Sequence, residues 1–291
     1  MKSLPSLITL LIPSIALAAD PPPKSNQNPS PMVEHTRAHE RLKEERPPGK
    51  RIALKIGNLF LPEKLPEGAV PLFIHFHGGT WLPEVAAAKI SAAVISVQLG
   101  SGSSAYGKPF ADPKVFAELL KEAEEKSGRK FDVVGLTSWS AGYGATRAIL
   151  KDPEHYRRIN FVLLLDGLHA GYVSGKPGPK ESELVAEDLE IFVKFAKDAA
   201  AGKKQLLVTH SEIFPGTFAS TTETADYLLR QLELKRKPVL QWGPLGTQIL
   251  SQVTQGRFQL FGFAGNSAPD HVDLLHALPE MLKRIEWKVK E

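Results

Sequence analysis

A serine hydroxyl becomes a useful nucleophile only beside a base of pKa near ~6.5 that can take its proton. The segment FDVVGLTSWSAGYG (131–144) offers a serine in a suitable setting. An apolar, strand-like run passes directly into Ser138-Trp139-Ser140-Ala141-Gly142 and then into a stretch of small residues. A serine on a tight strand-to-helix turn is a nucleophile elbow, and small side chains are needed two positions before and after it because backbone segments crowd there. Ser138 and Gly142 fill those places, with Ser138 departing from the usual glycine. A small-residue turn without chemistry would have the same local composition.

Candidate bases follow late in the chain. His271 lies in GFAGNSAPDHVD (262–273), and His276 lies five residues on, inside a helical pattern. Two carboxylates compete as the acid. Asp166 ends the apolar run FVLLLD (161–166), where an unpartnered charge would be costly, and Glu212 follows the next apolar run in polar company. Asp166 is the expected acid. Histidines also recur as His75, His77, His169, His210, His271 and His276, close to strand-like segments, and this raises a metal site. No HExxH pattern or dense Asp/His cluster accompanies them, so neither a metal nor a cofactor is expected.

The segment LFIHFHGGTW (72–81) adds a His-Gly-Gly stretch after an early apolar run. With it, the chain from about 51 to 287 resembles the α/β-hydrolase superfamily, the serine esterases and lipases in particular. The resemblance implies a doubly wound, mostly parallel sheet with helices on both faces. It also implies that Gly79 (or Thr80) and Ala141 supply backbone N–H groups to an oxyanion, where glycine leaves the donors unshielded. In the superfamily the histidine follows the last strand, which favours His271 over His276. The order Ser140, Asp166, His271 is the superfamily's own. The function expected is hydrolysis of a carboxylic ester, small or polymer-borne, through an acyl-enzyme. A non-catalytic binding protein of the same fold, or a peptidase or amidase, is the alternative.

The elements that must hold these residues are legible as an alternation. Short apolar runs at 70–77, 92–98, 131–136, 160–165, 205–210 and 257–263 read as strands buried on both faces of a parallel sheet. The stretch 51–61 alternates more and reads as an antiparallel edge strand. Helical patterns are expected over 115–126, 141–150, 182–200, 221–232 and 273–287, and a short helix over 32–46. The stretches 167–180 and 235–256 fit neither pattern.

The whole chain has 291 residues, 42% of them hydrophobic, with a net charge of +4 from interspersed charges of both signs. That distribution excludes a basic stripe for nucleic acid. Lys2, an apolar stretch from Leu4 to Leu17, and Ala16-Leu17-Ala18 read as an export signal cleaved after Ala18 or Ala19. The expected location is therefore secreted or periplasmic, with no stable membrane insertion. A proline-rich leader, 20–49, then precedes a single domain from 50 to 291. The absence of cysteine excludes disulfides and a thiol nucleophile.

Overall fold

The computed structural model describes residues 41–178 and 182–287. The expected export signal and most of the leader lie outside them. Of the helix expected over 32–46, the described part, 41–46, is irregular. Arg41 there donates to Asp273 Oδ1 (2.6 Å) and to the Pro269 carbonyl (2.7 Å), and Leu42 packs on the core.

Ten strands form one open sheet in the order β1-β2-β4-β3-β5-β6-β7-β10-β9-β8. They are β1 (Gly49–Ala53), β2 (Asn58–Pro62), β3 (Val70–Phe76), β4 (Ala93–Val97), β5 (Phe131–Trp139), β6 (Ile159–Leu165), β7 (Gln205–His210), β8 (Lys237–Trp242), β9 (Gln248–Gln255) and β10 (Phe258–Phe263). Strands β3 to β7 and β10 run parallel. They are the six apolar runs read from the sequence. Their residues are buried on both faces because helices cover both. On one face pack Phe116 of α3 (Pro113–Ser127), Ile149 of α4 (Tyr143–Lys151), Phe195 of α6 (Glu190–Ala200) and Leu228 of α7 (Thr221–Gln231). On the other lie Leu82 of α1 (Trp81–Ile90), Leu274 of α8 (Ala268–His276) and Met281 of α9 (Leu278–Leu282). The short helices α2 (Ser103–Phe110) and α5 (Pro153–Arg158) complete the set. This is the doubly wound, mostly parallel architecture expected.

Four local expectations are corrected. Residues 51–61 are not one strand but the antiparallel pair β1–β2. Helix α6 starts at Glu190 rather than 182, because Leu184 pairs with Tyr172 and Val185 N donates to the Gly171 carbonyl (2.9 Å). The single C-terminal helix over 273–287 is two, because Pro279 has no N–H to continue α8 and its ring would clash with the preceding turn. Residues 235–256 extend the sheet as the antiparallel strands β8 and β9.

The topology places the site. Strand β4 lies on one side of β3 and β5 on the other. The carboxyl ends of β3 and β5 therefore flank the point where the winding reverses, the crevice in which such sheets bind ligands.

Candidate active site

Strand β5 runs into a 3-10 turn, Ser140–Gly142, and then into α4. Ser140 has φ 49°, a left-handed conformation that costs a non-glycine residue about 1–3 kcal/mol. Two glycines make the turn possible. A Cβ on Gly142 would lie 2.1 Å from the Phe76 carbonyl oxygen, and one on Gly167 would lie 2.7 Å from Ser140 N. The elbow is thus wedged between the ends of β3 and β6. Ser138 is fully buried, and its Oγ has no partner among the described residues; what the turn uses at this position is its small volume.

Asp166 leaves the end of β6, next to β5, with Leu165 in register with Trp139. It too is left-handed, at φ 43°. Its carboxylate is buried and accepts four hydrogen bonds. Oδ1 takes Ser211 N (2.8 Å) and Thr221 Oγ1 (2.6 Å); Oδ2 takes Ser211 Oγ (2.8 Å) and His271 Nδ1 (2.7 Å). Burial opposes ionisation, but the bond and charge of His271 with the bonds from Thr221 and Ser211 outweigh it. They hold the carboxyl well below the usual carboxylate range. Glu212, the rival acid, is exposed and takes no part.

His271 sits in the first turn of α8, which starts at Ala268, ahead of the helix expected from Asp273. The helix begins there because Ser267 N and Oγ both donate to Asp270 Oδ2, at 2.9 and 2.5 Å. An ionised carboxylate only accepts, so Nδ1 of His271 carries the proton and Nε2 holds the lone pair a base needs. His276, at the other end of α8, rings against Trp81 at 5.6 Å instead. Ser140 Oγ makes no hydrogen bond to His271 among the described residues; such bonds often tighten only with substrate bound.

Trp139, the residue before Ser140, ties the two halves together. Its Nε1 donates to the His271 carbonyl (2.9 Å), and its ring lies 4.6 Å from that of His271. The opposite partner is His77, stacked on Trp139 at 5.1 Å with an interplanar angle of 12°. His77 Nδ1 meets Tyr106 Oη (2.8 Å). Burial, then the charge of His271, lowers its pKa and keeps it neutral. The chain turns sharply at His77 and Gly78, with φ 75° and 113°. Gln98 Oε1 accepts the Gly78 N–H (2.8 Å), whereas Gly79 and Thr80 lie exposed beyond it. Ala141, at the start of the 3-10 turn, has an N–H in the position that helix starts leave without an intrahelical acceptor.

The structure brings Ser140, Asp166 and His271 to one sheet edge, with the 77–80 loop beside the elbow. The sequence reading missed Trp139, Ser211 and Thr221 as positioning groups. Their signal was weak: polar or aromatic residues where strands end and helices begin. The remaining histidines have separate commitments. His75 Nδ1 meets Thr137 Oγ1 (2.8 Å), His210 Nε2 accepts from Arg236 (2.6 Å), and His169 Nδ1 donates to the Ala219 carbonyl (2.9 Å). Among the described residues no three His, Asp or Glu side chains gather as metal ligands.

No family model and no curated protein matches the chain. Solved structures of similar fold include a poly(3-hydroxybutyrate) depolymerase from Bordetella parapertussis, with 13% identity and a TM-score of 0.47 over 80% of this chain and 84% of that one. Another is a poly(aspartic acid) hydrolase from Sphingomonas sp. KT-1, with 12% identity and a TM-score of 0.46 over 84% of this chain and 100% of that one. A third is a carboxylesterase from Bacillus subtilis, with 13% identity and a TM-score of 0.41 over 82% and 90%. At these scores the likeness adds no weight to the reading of the site, which stands on its own geometry.

Proposed function

We propose that this protein is a serine hydrolase of the α/β-hydrolase type that cleaves a carboxylic ester through an acyl-enzyme on Ser140. The observation that carries the reading is the 2.7 Å bond from His271 Nδ1 to a buried Asp166, beside a serine held left-handed on a strand-to-helix turn. In this reading Ser140 Oγ attacks the ester carbonyl as His271 Nε2 takes its proton. The oxyanion is held by the N–H groups of Ala141 and of Gly79 or Thr80. The tetrahedral adduct collapses, and His271 returns the proton to the departing alcohol. Water then repeats the sequence and releases the acid. Asp166 fixes the imidazole tautomer and stabilises the imidazolium.

An apolar body on the substrate is supported by the surface. The large hydrophobic side chains exposed among the described residues are Leu99, Val173, Phe214, Phe218, Leu240 and Trp242. Leu99, Val173, Phe214 and Phe218 lie on the segments that follow β4, β6 and β7, whereas Leu240 and Trp242 lie on the outermost strand, β8.

Export belongs to the same proposal, motivated by the Lys2 to Ala19 segment; a native chain beginning at Met1 would overturn it. The test of the chemistry is a fluorophosphonate probe on the purified protein. Label should map to the peptide containing Ser140 and vanish in Ser140→Ala. An unlabelled, folded protein would point instead to a binding protein on this scaffold.

A further inference from the structure

The geometry points to His169 as a fixed hydrogen-bond acceptor in the wall of the site, selecting esters that carry a hydroxyl or amide N–H close to the scissile carbonyl. This rests on the reading of Ser140 and His271 given above.

His169 lies on the segment that leaves β6 just after Asp166, and that segment is locked on both sides. Gly167 packs against the backbone of Ser140. The Leu168 carbonyl accepts from Thr224 Oγ1 (2.7 Å), and the Ala170 carbonyl accepts from Ala219 N (2.9 Å). The imidazole is held edge-on between two aromatic rings, Tyr143 at 5.6 Å and Phe218 at 4.9 Å. Tyr143 opens the helix that follows the elbow, and Phe218 is one of the exposed apolar side chains. Through Gly167 and Tyr143 the ring adjoins the elbow, and it lies near enough to Asp166 and His271 to feel the charge of each.

Its protonation follows from its partners. A backbone carbonyl can only accept, so the 2.9 Å contact with Ala219 puts a proton on Nδ1. Burial, partly offset by that bond and by Asp166, lowers the pKa of the group and keeps it neutral. Nε2 therefore bears a lone pair. Among the described residues no group donates to it, yet it is not one of the atoms sealed from solvent without a partner. An acceptor so placed, with aromatic rings on either side, rewards a substrate donor. It leaves an unpaired polar atom when the substrate has none. None of the steps assigned to Ser140, Asp166 and His271 uses it.

The experiment compares aryl butyrates with aryl 2-, 3- and 4-hydroxybutyrates, each rate normalised to its hydroxide-catalysed hydrolysis. Wild-type protein should prefer at least one hydroxy-ester by about 10- to 100-fold in kcat/KM. His169→Phe keeps an aromatic ring between Tyr143 and Phe218 but has no acceptor, and should collapse that ratio towards one. His169→Gln offers an amide oxygen and should restore part of it. A ratio unchanged in His169→Phe, or no preference in wild type, overturns the proposal. Equal loss on all esters in both variants assigns His169 a structural role and overturns it too. Binding of the same esters to Ser140→Ala and to Ser140→Ala/His169→Phe gives the preference without turnover. Failure of fluorophosphonate labelling is a separate result, and it sinks the hydrolase reading itself.

Discussion

Asp166 spends both of its oxygens twice, and this shows how much of the site hangs on one carboxylate. An amide in its place has only one acceptor atom and adds two donors, so it cannot satisfy Ser211, Thr221 and His271 together. Asp166→Asn should lower kcat about 10⁴-fold by favouring the wrong imidazole tautomer. It should also cost about 1–3 kcal/mol of stability through the lost bonds. Glu212→Gln, on an exposed residue, should leave turnover and melting temperature close to wild type. Ester kinetics and thermal unfolding of the two variants separate these outcomes; an inactive Glu212→Gln would move the acid. Asp166 could be read from the sequence because a charge closing five apolar residues demands a partner. Ser211 and Thr221 could not, since a hydroxyl at a strand end or helix start usually satisfies itself locally. Their role appears only when β6, β7 and α7 are brought together.

Among the elements, the elbow depends on how closely its strand can be packed. Gly135 in β5 lies under the Phe161 ring of β6, where a Cβ would sit 2.0 Å from Phe161 Cζ. That ring is in turn edge-on to Trp287 at 4.8 Å, so it has no free side to move to. Gly135→Ala should destabilise by about 1–3 kcal/mol or more. Phe161→Leu in the same chain should return part of the loss, which a double-mutant cycle by urea unfolding would measure. The elements legible in the sequence were those with one environment along their length: strands buried on both faces, and helices with one apolar stripe. Helix α1 escaped notice because WLPEVAAAKI is small and apolar nearly all round and contains a proline. Helix α2 contains both Gly107 and Pro109. Strand β8 is largely exposed and β9 is mostly polar, and only the sheet they extend makes them strands. The helix expected from Asp273 begins earlier, at Ala268, because proline is tolerated in the first turn of a helix, and His271 therefore lies inside it.

At the scale of the whole molecule, buried imidazoles set the response to acid. Burial pushes His75 down to about 3, and burial with the nearby Arg236 charge pushes His210 down to about 4. Both are neutral when folded, but in the unfolded chain they protonate near pH ~6.5. The unfolded state therefore binds more protons as the pH falls from 6.5 towards 4, and stability declines through that window. Asp166 acts the same way at lower pH: its depressed pKa stabilises the fold above the ordinary carboxylate range and less as acid titrates it. His75→Asn, which retains a polar partner for Thr137, should reduce the slope of unfolding free energy between pH 4 and 6.5 by about 1 kcal/mol per pH unit. Urea unfolding at a series of pH values measures it, and an unchanged slope would show that His75 does not titrate on unfolding.

The contacts that complete the site join distant parts of the chain. His271 meets Asp166 across 105 positions and Trp139 across 132. Ser140 and Asp166 emerge from neighbouring strands in the middle of the sheet, but His271 arrives only with the helix after β10. During refolding, helices and the central strands can form while the protein is still inert, because closing such long loops is slow and late. With the chemistry proposed above, return of ester turnover should therefore trail the return of helical circular dichroism, so the site doubles as a clock for the last docking step.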